Sequence, residues 1–303
     1  MWFKNLTLFR LTEAFTLTPA ELETKLQSLP FKPCGSHEEV SIGWTAPLGK
    51  GSEQLVHTTN GYMMLCSKRE EKVLPSQVVN ELVQEKIAEV EDRDGRKLPK
   101  KERAAIKDEI IFELLPKAFV FSRKTYAYID PKAGWLIVDS ASAKKAEDLV
   151  SSLRKCLSSL PAIPPATEVS PVHTLTQWLT SRELIPADIK IDDECELRTP
   201  EETSNVIRCK GQDLSLPEIK NHLDTGKQVI KLSVTWDERI SFVLDEHLGI
   251  KRLKFLDLVQ DQVANTQQSD DADSFDVDFS IMSSEFTNLL PRLLELFGGE
   301  TKA

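Results

Sequence analysis

The residues best placed to do chemistry in this chain are its cations. Arg93, Arg96, Lys97, Lys100, Lys101, Arg103 and Lys107 fall within RDGRKLPKKERAAIK, residues 93–107, against only Asp94 and Glu102. The whole chain carries a formal net charge of -10 over 303 residues. That average repels a polyanion at long range. Beyond a Debye length of about 10 Å, however, salt hides the rest of the surface and the local patch decides. The segment therefore points towards nucleic acid. Cations recur elsewhere: Lys117, Arg123 and Lys124 bracket Phe119 and Phe121, and Arg208, Lys210 and Gln212 lie close together. Lys227 and Lys231 enter an apolar run, and Lys251, Arg252 and Lys254 follow. Lysine and arginine neutralise phosphate and release its counterions, while glutamine adds a bond that reads no base. Stacking on bases would have to come from Phe119, Phe121, Tyr126 or Tyr128.

Catalytic patterns are missing. A phosphate-binding loop needs glycines that free backbone amides, then Lys and a hydroxyl; Gly43 and Gly49-Lys50-Gly51 have the wrong spacing, and Gly226-Lys227 lacks both flanks. His37, His57, His173, His222 and His247 are isolated, so no zinc shell can be assembled from local spacing. Asp270, Asp271, Asp273, Asp276 and Asp278 would suit a two-metal nuclease, but they stand in a Gln/Ser-rich stretch without calcium-loop spacing and read as a solvated acidic loop. No cofactor is expected.

The elements that must position the cations form an α+β pattern with mixed or antiparallel sheets. Hydrophobic residues make up 40% and charged residues 28%, which is ordinary for a globular chain, and no apolar run approaches the ~20 residues of a membrane span. Five scattered cysteines (Cys34, Cys66, Cys156, Cys195, Cys209) without CxxC spacing read as reduced thiols of a cytoplasmic protein. An opening strand leads to Thr18-Pro19-Ala20-Glu21, a capping box with proline at the first helical position, and Leu22, Leu26 and Leu29 supply the buried stripe. Gly43-Trp44 and Gly49–Ser52 read as loops, and Gly61–Ser67 as a strand. Val79, Leu82, Ile87 and Val90, then Ala105, Ile106, Ile110 and Leu114, predict a projecting helical hairpin with the basic segment at its turn. Ala118–Arg123, Tyr126–Ile129 and Gly134–Asp139 read as strands, and Ser142–Leu160 as an amphipathic helix.

Pro161, Pro164 and Pro165 deny ladder hydrogen bonds and place the major boundary there. Three parts follow: a central body of residues 1–75 and 116–160, a helical tip of 76–115, and a base of 161–303. In the base, Glu194–Arg198, Asn205–Lys210, Gln228–Trp236, Ile240–Leu244 and Ile250–Phe255 predict an antiparallel meander. Leu214-Ser215-Leu216-Pro217-Glu218-Ile219 echoes the first capping box. Residues 264–278 read as loop, and a last helix is predicted from about 283 to 296, ended by Gly298-Gly299.

MWFKNL at the start, FKPCGS (Phe31–Ser36), Gly43-Trp44, EEKVLPS (Glu70–Ser76), LLPKAF (Leu114–Phe119), DSASAKKAEDLVSSLRKCLSSLP (Asp139–Pro161) and IKRLKF (Ile250–Phe255) closely resemble the RdgC family of proteobacteria, from end to end. The resemblance implies horseshoe-shaped subunits that form a ring-shaped homodimer with a basic central hole. It further implies sequence-tolerant binding of double- and single-stranded DNA, nucleoid association, a role at recombination and replication forks, and restraint of RecA, without enzymatic activity. Phe119 matches a family phenylalanine near the tip-to-tip contact, and Lys210, Gln212 and Lys227 match DNA-facing positions of the base, with Gly211 where a second lysine would stand. Two other readings stay open: an interaction regulator whose basic turn docks an acidic protein, and a nuclease built on the late aspartates.

Overall fold

The structure, a computed structural model, describes residues 1–49, 51–200, 202–266 and 271–301. One antiparallel sheet carries twelve strands: β1 (Leu6–Leu11), β2 (Val40–Thr45), β3 (Val56–Thr59), β4 (Tyr62–Val73), β5 (Phe119–Asp130), β6 (Trp135–Asp139), β7 (Ala162–Ile163), β8 (Ile189–Thr199), β9 (Glu202–Lys210), β10 (Gln228–Trp236), β11 (Ile240–Asp245) and β12 (Ile250–Phe255). Their order is β2-β4-β5-β6-β1-β12-β11-β10-β8-β9, with β3 on β4 and β7 on β1. The first strand of the chain is thus the seam between the two halves. Its pattern explains that place: Leu6 and Leu8 join one core, and Phe9 and Leu11 join another on the opposite face.

Eight helices complete the described fold: α1 (Pro19–Leu26), α2 (Ser76–Asp94), α3 (Lys100–Leu114), α4 (Ala143–Leu157), α5 (Pro171–Thr180), α6 (Pro217–Asp224), α7 (Asp257–Thr266) and α8 (Asp271–Leu296). Leu22 and Leu26 of α1 pack with Ala146, Leu149, Val150 and Leu153 of α4 over the N-terminal strands. The other face of the sheet is covered along both halves by α5, α6 and α8, through Leu175, Trp178, Ile219, Phe279, Phe286 and Phe297 among others. Helices α2 and α3 pack on one another around Val79, Val83, Ile87, Leu98 and Ile110, a third and much smaller core. Gly95 ends α2 at φ 64°, the left-handed conformation that glycine adopts without strain.

The capping box of α1 forms as the spacing predicts: Thr18 accepts from the Glu21 N–H, and Glu21 accepts from the Thr18 N–H at 2.8 Å. Its echo does not form. Helix α6 starts after Leu216 with no side-chain cap, because Ser215 instead donates to Asp213 within the preceding turn. Gly43-Trp44 is strand rather than loop. A Cβ on Gly43 would lie 2.5 Å from the Phe31 backbone, so glycine here admits the segment that bonds Trp44 from the side. The two strands expected between residues 118 and 129 are one strand, β5, paired along β4 from Val73↔Phe119 to Met63↔Ile129.

The acidic stretch is also corrected. Of residues 264–278, 264–266 close α7 and 271–278 belong to α8, while 267–270 lie outside the described residues. Phe275, Phe279, Met282, Phe286, Leu289, Leu290 and Leu293 share the core at helical spacing, and this stripe carries the neighbouring aspartates into the helix.

Candidate nucleic-acid interface

The basic turn between α2 and α3 is partly neutralised by its own fold. Glu91, just upstream of the basic segment, takes the Lys97 ammonium at 2.7 Å, the Arg103 guanidinium at 2.9 Å and the Leu98 backbone N–H at 2.9 Å. The Lys97 and Leu98 bonds, ahead of the nearby charges, draw its carboxyl down to about 2. Arg96 is held by Glu102 through two bonds, and Arg93 by Asp94. Lys100, Lys101 and Lys107 have no acidic partner among the described residues. The local charge available to a phosphate is therefore smaller than the composition suggests.

Lys117, Arg123, Lys124 and Phe119 belong to the ribbon of β4 and β5 and the short turn that enters it. Strand register sets Arg123 opposite Arg69 and Lys124 opposite Lys68. Like charges directly opposed destabilise a pair of strands. Here Glu71 compensates Arg69 at 3.2 Å and Glu70 compensates Lys68 at 3.0 Å, which leaves Arg123 and Lys124 unneutralised. The Arg123 guanidinium lies 4.5 Å from the centre of the Phe121 ring. Phe119 is 87% exposed, and Val120 and Phe121 beside it are also exposed. Tyr128, by contrast, is fully buried against Phe3, Tyr62 and Phe279 and offers no platform to a base. Tyr126 is half-buried.

In the C-terminal half, the face of β8–β12 opposite α8 carries charge where the N-terminal half carries α1 and α4. Glu196 is shared by Arg208 and Lys231, Asp245 holds Lys251 at 2.8 Å, and Arg252 reaches Glu194. Burial raises the Glu196 carboxyl, but the bonds from Lys231 and Arg208 outweigh it and leave the group below its ordinary value. Lys210 stands opposite Glu194 on β9, and Gln212 donates to Glu218 at 2.7 Å. Lys227 lies towards the other end of β9, bonded to the Thr199 hydroxyl at 2.9 Å and the Asn205 side-chain oxygen at 3.3 Å. Lys210 and Gln212 come together; Lys227 stands apart from them.

Sequence reasoning missed Arg69, Lys144 and Lys145. With Arg123, Ser67, Thr125 and Ser142 they line a cavity of about 440 Å³ between the β4–β5 ribbon and the start of α4, which Glu71 and Asp148 also enter. The signal for Lys144-Lys145 was in the sequence, at the head of an amphipathic helix, but the pairing that brings Arg69 beside Arg123 has no local signature.

The two late aspartates whose side chains are described do not converge. Asp276 bonds His57 and Thr59, and Asp278 meets the N-terminal ammonium. Asp270 and the side chains of Asp271 and Asp273 lie outside the described residues. Among the described residues no group of three His, Cys, Asp or Glu side chains could hold a metal ion. No helix among them is long and apolar enough to cross a membrane.

The family described as "Putative exonuclease, RdgC" matches residues 1–300. The chain belongs to the RdgC family. It is 46% identical over 300 residues to the recombination-associated protein RdgC of Tolumonas auensis, across 99% of both chains. It is 44% identical to that of Aeromonas hydrophila over the whole of both, and 45% identical to that of Pseudomonas aeruginosa over 99% of this chain and 98% of the other. A role in recombination follows for an RdgC chain matched at this length. The family description speaks of an exonuclease and the relatives' names of recombination, and neither assigns a catalytic residue.

Proposed function

We propose that this chain is a non-enzymatic, sequence-tolerant DNA-binding protein of recombination that encloses double- or single-stranded DNA as a ring-shaped homodimer. In this reading the α2–α3 hairpin projects as the tip of a horseshoe, the β8–β12 half is its base, and Phe119 meets its twin at the tip. The protein restrains RecA by occupying the DNA that RecA would coat, in the cytoplasm on the nucleoid.

One observation carries the reading. Lys100, Lys101, Lys107, Lys117, Arg123, Lys124 and Lys227 have no carboxylate partner among the described residues, and Lys210 faces Glu194 across the strands without an ion pair, although the chain as a whole is acidic. They are spread over tip, ribbon and base rather than gathered in one pocket, as suits a long, uniform polyanion. Reading bases would require a recognition element presenting side chains to a groove; the cations offered here suit phosphates instead.

The deciding measurement is fluorescence anisotropy of a short random-sequence duplex across a salt series. Each neutralised phosphate adds about 0.9 to the magnitude of the log–log slope. A slope equal to several contacts, unchanged on scrambling the sequence and reduced by Lys100→Glu with Lys101→Glu, is the expected result. Absence of binding at low salt would overturn the reading and favour an acidic protein as the partner of the basic turn. Magnesium-dependent cleavage lost in Asp276→Asn would overturn its non-enzymatic part.

A further inference from the structure

The seam strand β1 is incompletely paired on one edge. The Leu11 N–H donates to Gly134 at 2.9 Å, so the odd residues 7, 9 and 11 turn their backbone groups to β6 and the even residues turn theirs away. Lys4 accepts from Leu253, Leu6 pairs with Ile250 of β12, Arg10 pairs with Ile163 of β7, and Thr12 donates to Pro161. Leu8, between them, meets neither strand.

Both neighbours stop for local reasons. Continuing the β7 register by two residues sets Pro165 opposite Leu8, and proline has no N–H to give. On the other side β12 begins at Ile250, because Asp245 accepts from the Gly249 N–H at 2.8 Å and closes a tight turn with Leu248 at φ 60°.

The gap opens into a cavity of about 600 Å³ lined by Leu8, Phe9, Ala141, Ala143 and Pro164, with Lys144, Glu147, Asp245, His247 and Lys251 also on its wall. Leu8 itself is 5% exposed. Buried backbone groups are paired in well over 90% of cases, so an outward-facing N–H and C=O in an apolar cavity ask for a complement of the same kind.

We propose that this cavity is a docking slot for an extended stretch of a partner protein, one residue of which pairs antiparallel with Leu8 while its apolar neighbours fill the cavity. Between Leu6 and Arg10 the slot spans about 13 Å, room for roughly three residues of strand. A nucleic acid does not fit these walls: their surface is mostly apolar, the lining Lys251 is held by Asp245 at 2.8 Å, and the carboxylates of Glu147 and Asp245 share the wall with Lys144 and His247. A second copy of this chain fits poorly: its edge strands β2 and β9 are six and nine residues long, and the four-residue β3 is held against α8 by the bonds of His57 and Thr59 to Asp276. A short strand with small or branched apolar side chains suits both the length and the walls.

The probe is a fluorescein-labelled peptide, Gly-Ser-Val-Leu-Val-Ser-Gly, titrated onto the full chain and followed by anisotropy. Saturable binding is expected. It should weaken at least tenfold for the same peptide N-methylated at its leucine, which removes the donor to the Leu8 C=O. It should weaken as much in Ala143→Trp, which fills the slot from an exposed position at the start of α4 and whose melting curve verifies the fold. Hydrogen exchange should show the Leu8 amide unprotected relative to Thr7 and Phe9 in the free protein and protected once peptide is bound. No saturable binding, or binding indifferent to both changes, overturns the proposal. A Leu8 amide already protected in the free protein also overturns it, and if that protection rises with protein concentration the slot belongs to a second copy.

Discussion

Glu91 decides how much of the basic turn is free to meet a phosphate. Its carboxyl titrates at about 2 rather than its ordinary 4.5 because it accepts from Lys97, Leu98 and Arg103. A carboxyl depressed in the folded state contributes stability above its ordinary value, and that contribution is lost as pH falls through the folded value. The α2–α3 turn should therefore loosen between about pH 4.5 and pH 2, which the side-chain carbon shift of Glu91 would follow directly. At neutral pH, Glu91→Gln should release Lys97 and Arg103 and raise the magnitude of the salt slope for duplex binding by about 1 to 2, one counterion step per cation freed. An unchanged slope would remove both cations from the interface. The cysteines give a second residue-scale test. Burial pushes the Cys66 thiol up to about 11 and the Cys195 thiol up to about 12, and Cys156 and Cys209 are also buried. Ellman's reagent should therefore titrate Cys34 alone in the native chain and all five thiols after unfolding.

At the scale of elements, short-range signals were legible and borrowed ones were not. The Thr18 capping box could be read because its bonds close within three residues. Ser215 stands in a similar pattern but serves the turn before α6. The contrast is testable by urea unfolding: Thr18→Ala should cost about 1 kcal/mol, and Ser215→Ala should cost no cap at α6. The acidic stretch misled for the converse reason. Its aspartates suggest a loop when read residue by residue, but Phe275, Phe279, Met282 and Phe286 recur at helical spacing and draw α8 back to Asp271. The strand misread as loop at Gly43 depended on the close approach of the Phe31 segment, which no spacing within the strand announces.

For the molecule as a whole, the central question is how an acidic chain presents cations in a useful array. Phe119, 87% exposed beside Val120 and Phe121, supplies the apolar surface that a tip-to-tip contact between subunits would cover. Phe119→Glu should then shift the sedimentation coefficient from dimer to monomer at micromolar concentration and abolish retention on closed circular DNA, while leaving the unfolding midpoint unchanged. A wild-type chain that sediments as a monomer would remove the ring from the proposal. By itself the sequence determined the α+β class, the start of α1 and the cations worth testing. These follow from hydrophobic periodicity, from bonds closing within a turn, or from charge counted along the chain. Only the tertiary structure decided which of those cations stay free, because some of the carboxylates that neutralise the others arrive from afar: Glu91 reaches Arg103 across 12 positions, and Glu196 reaches Lys231 across 35. It also decided that β1 would join the two halves and leave Leu8 unpaired between a proline and a turn. Strand register sums contacts over the whole chain, and no local window contains it.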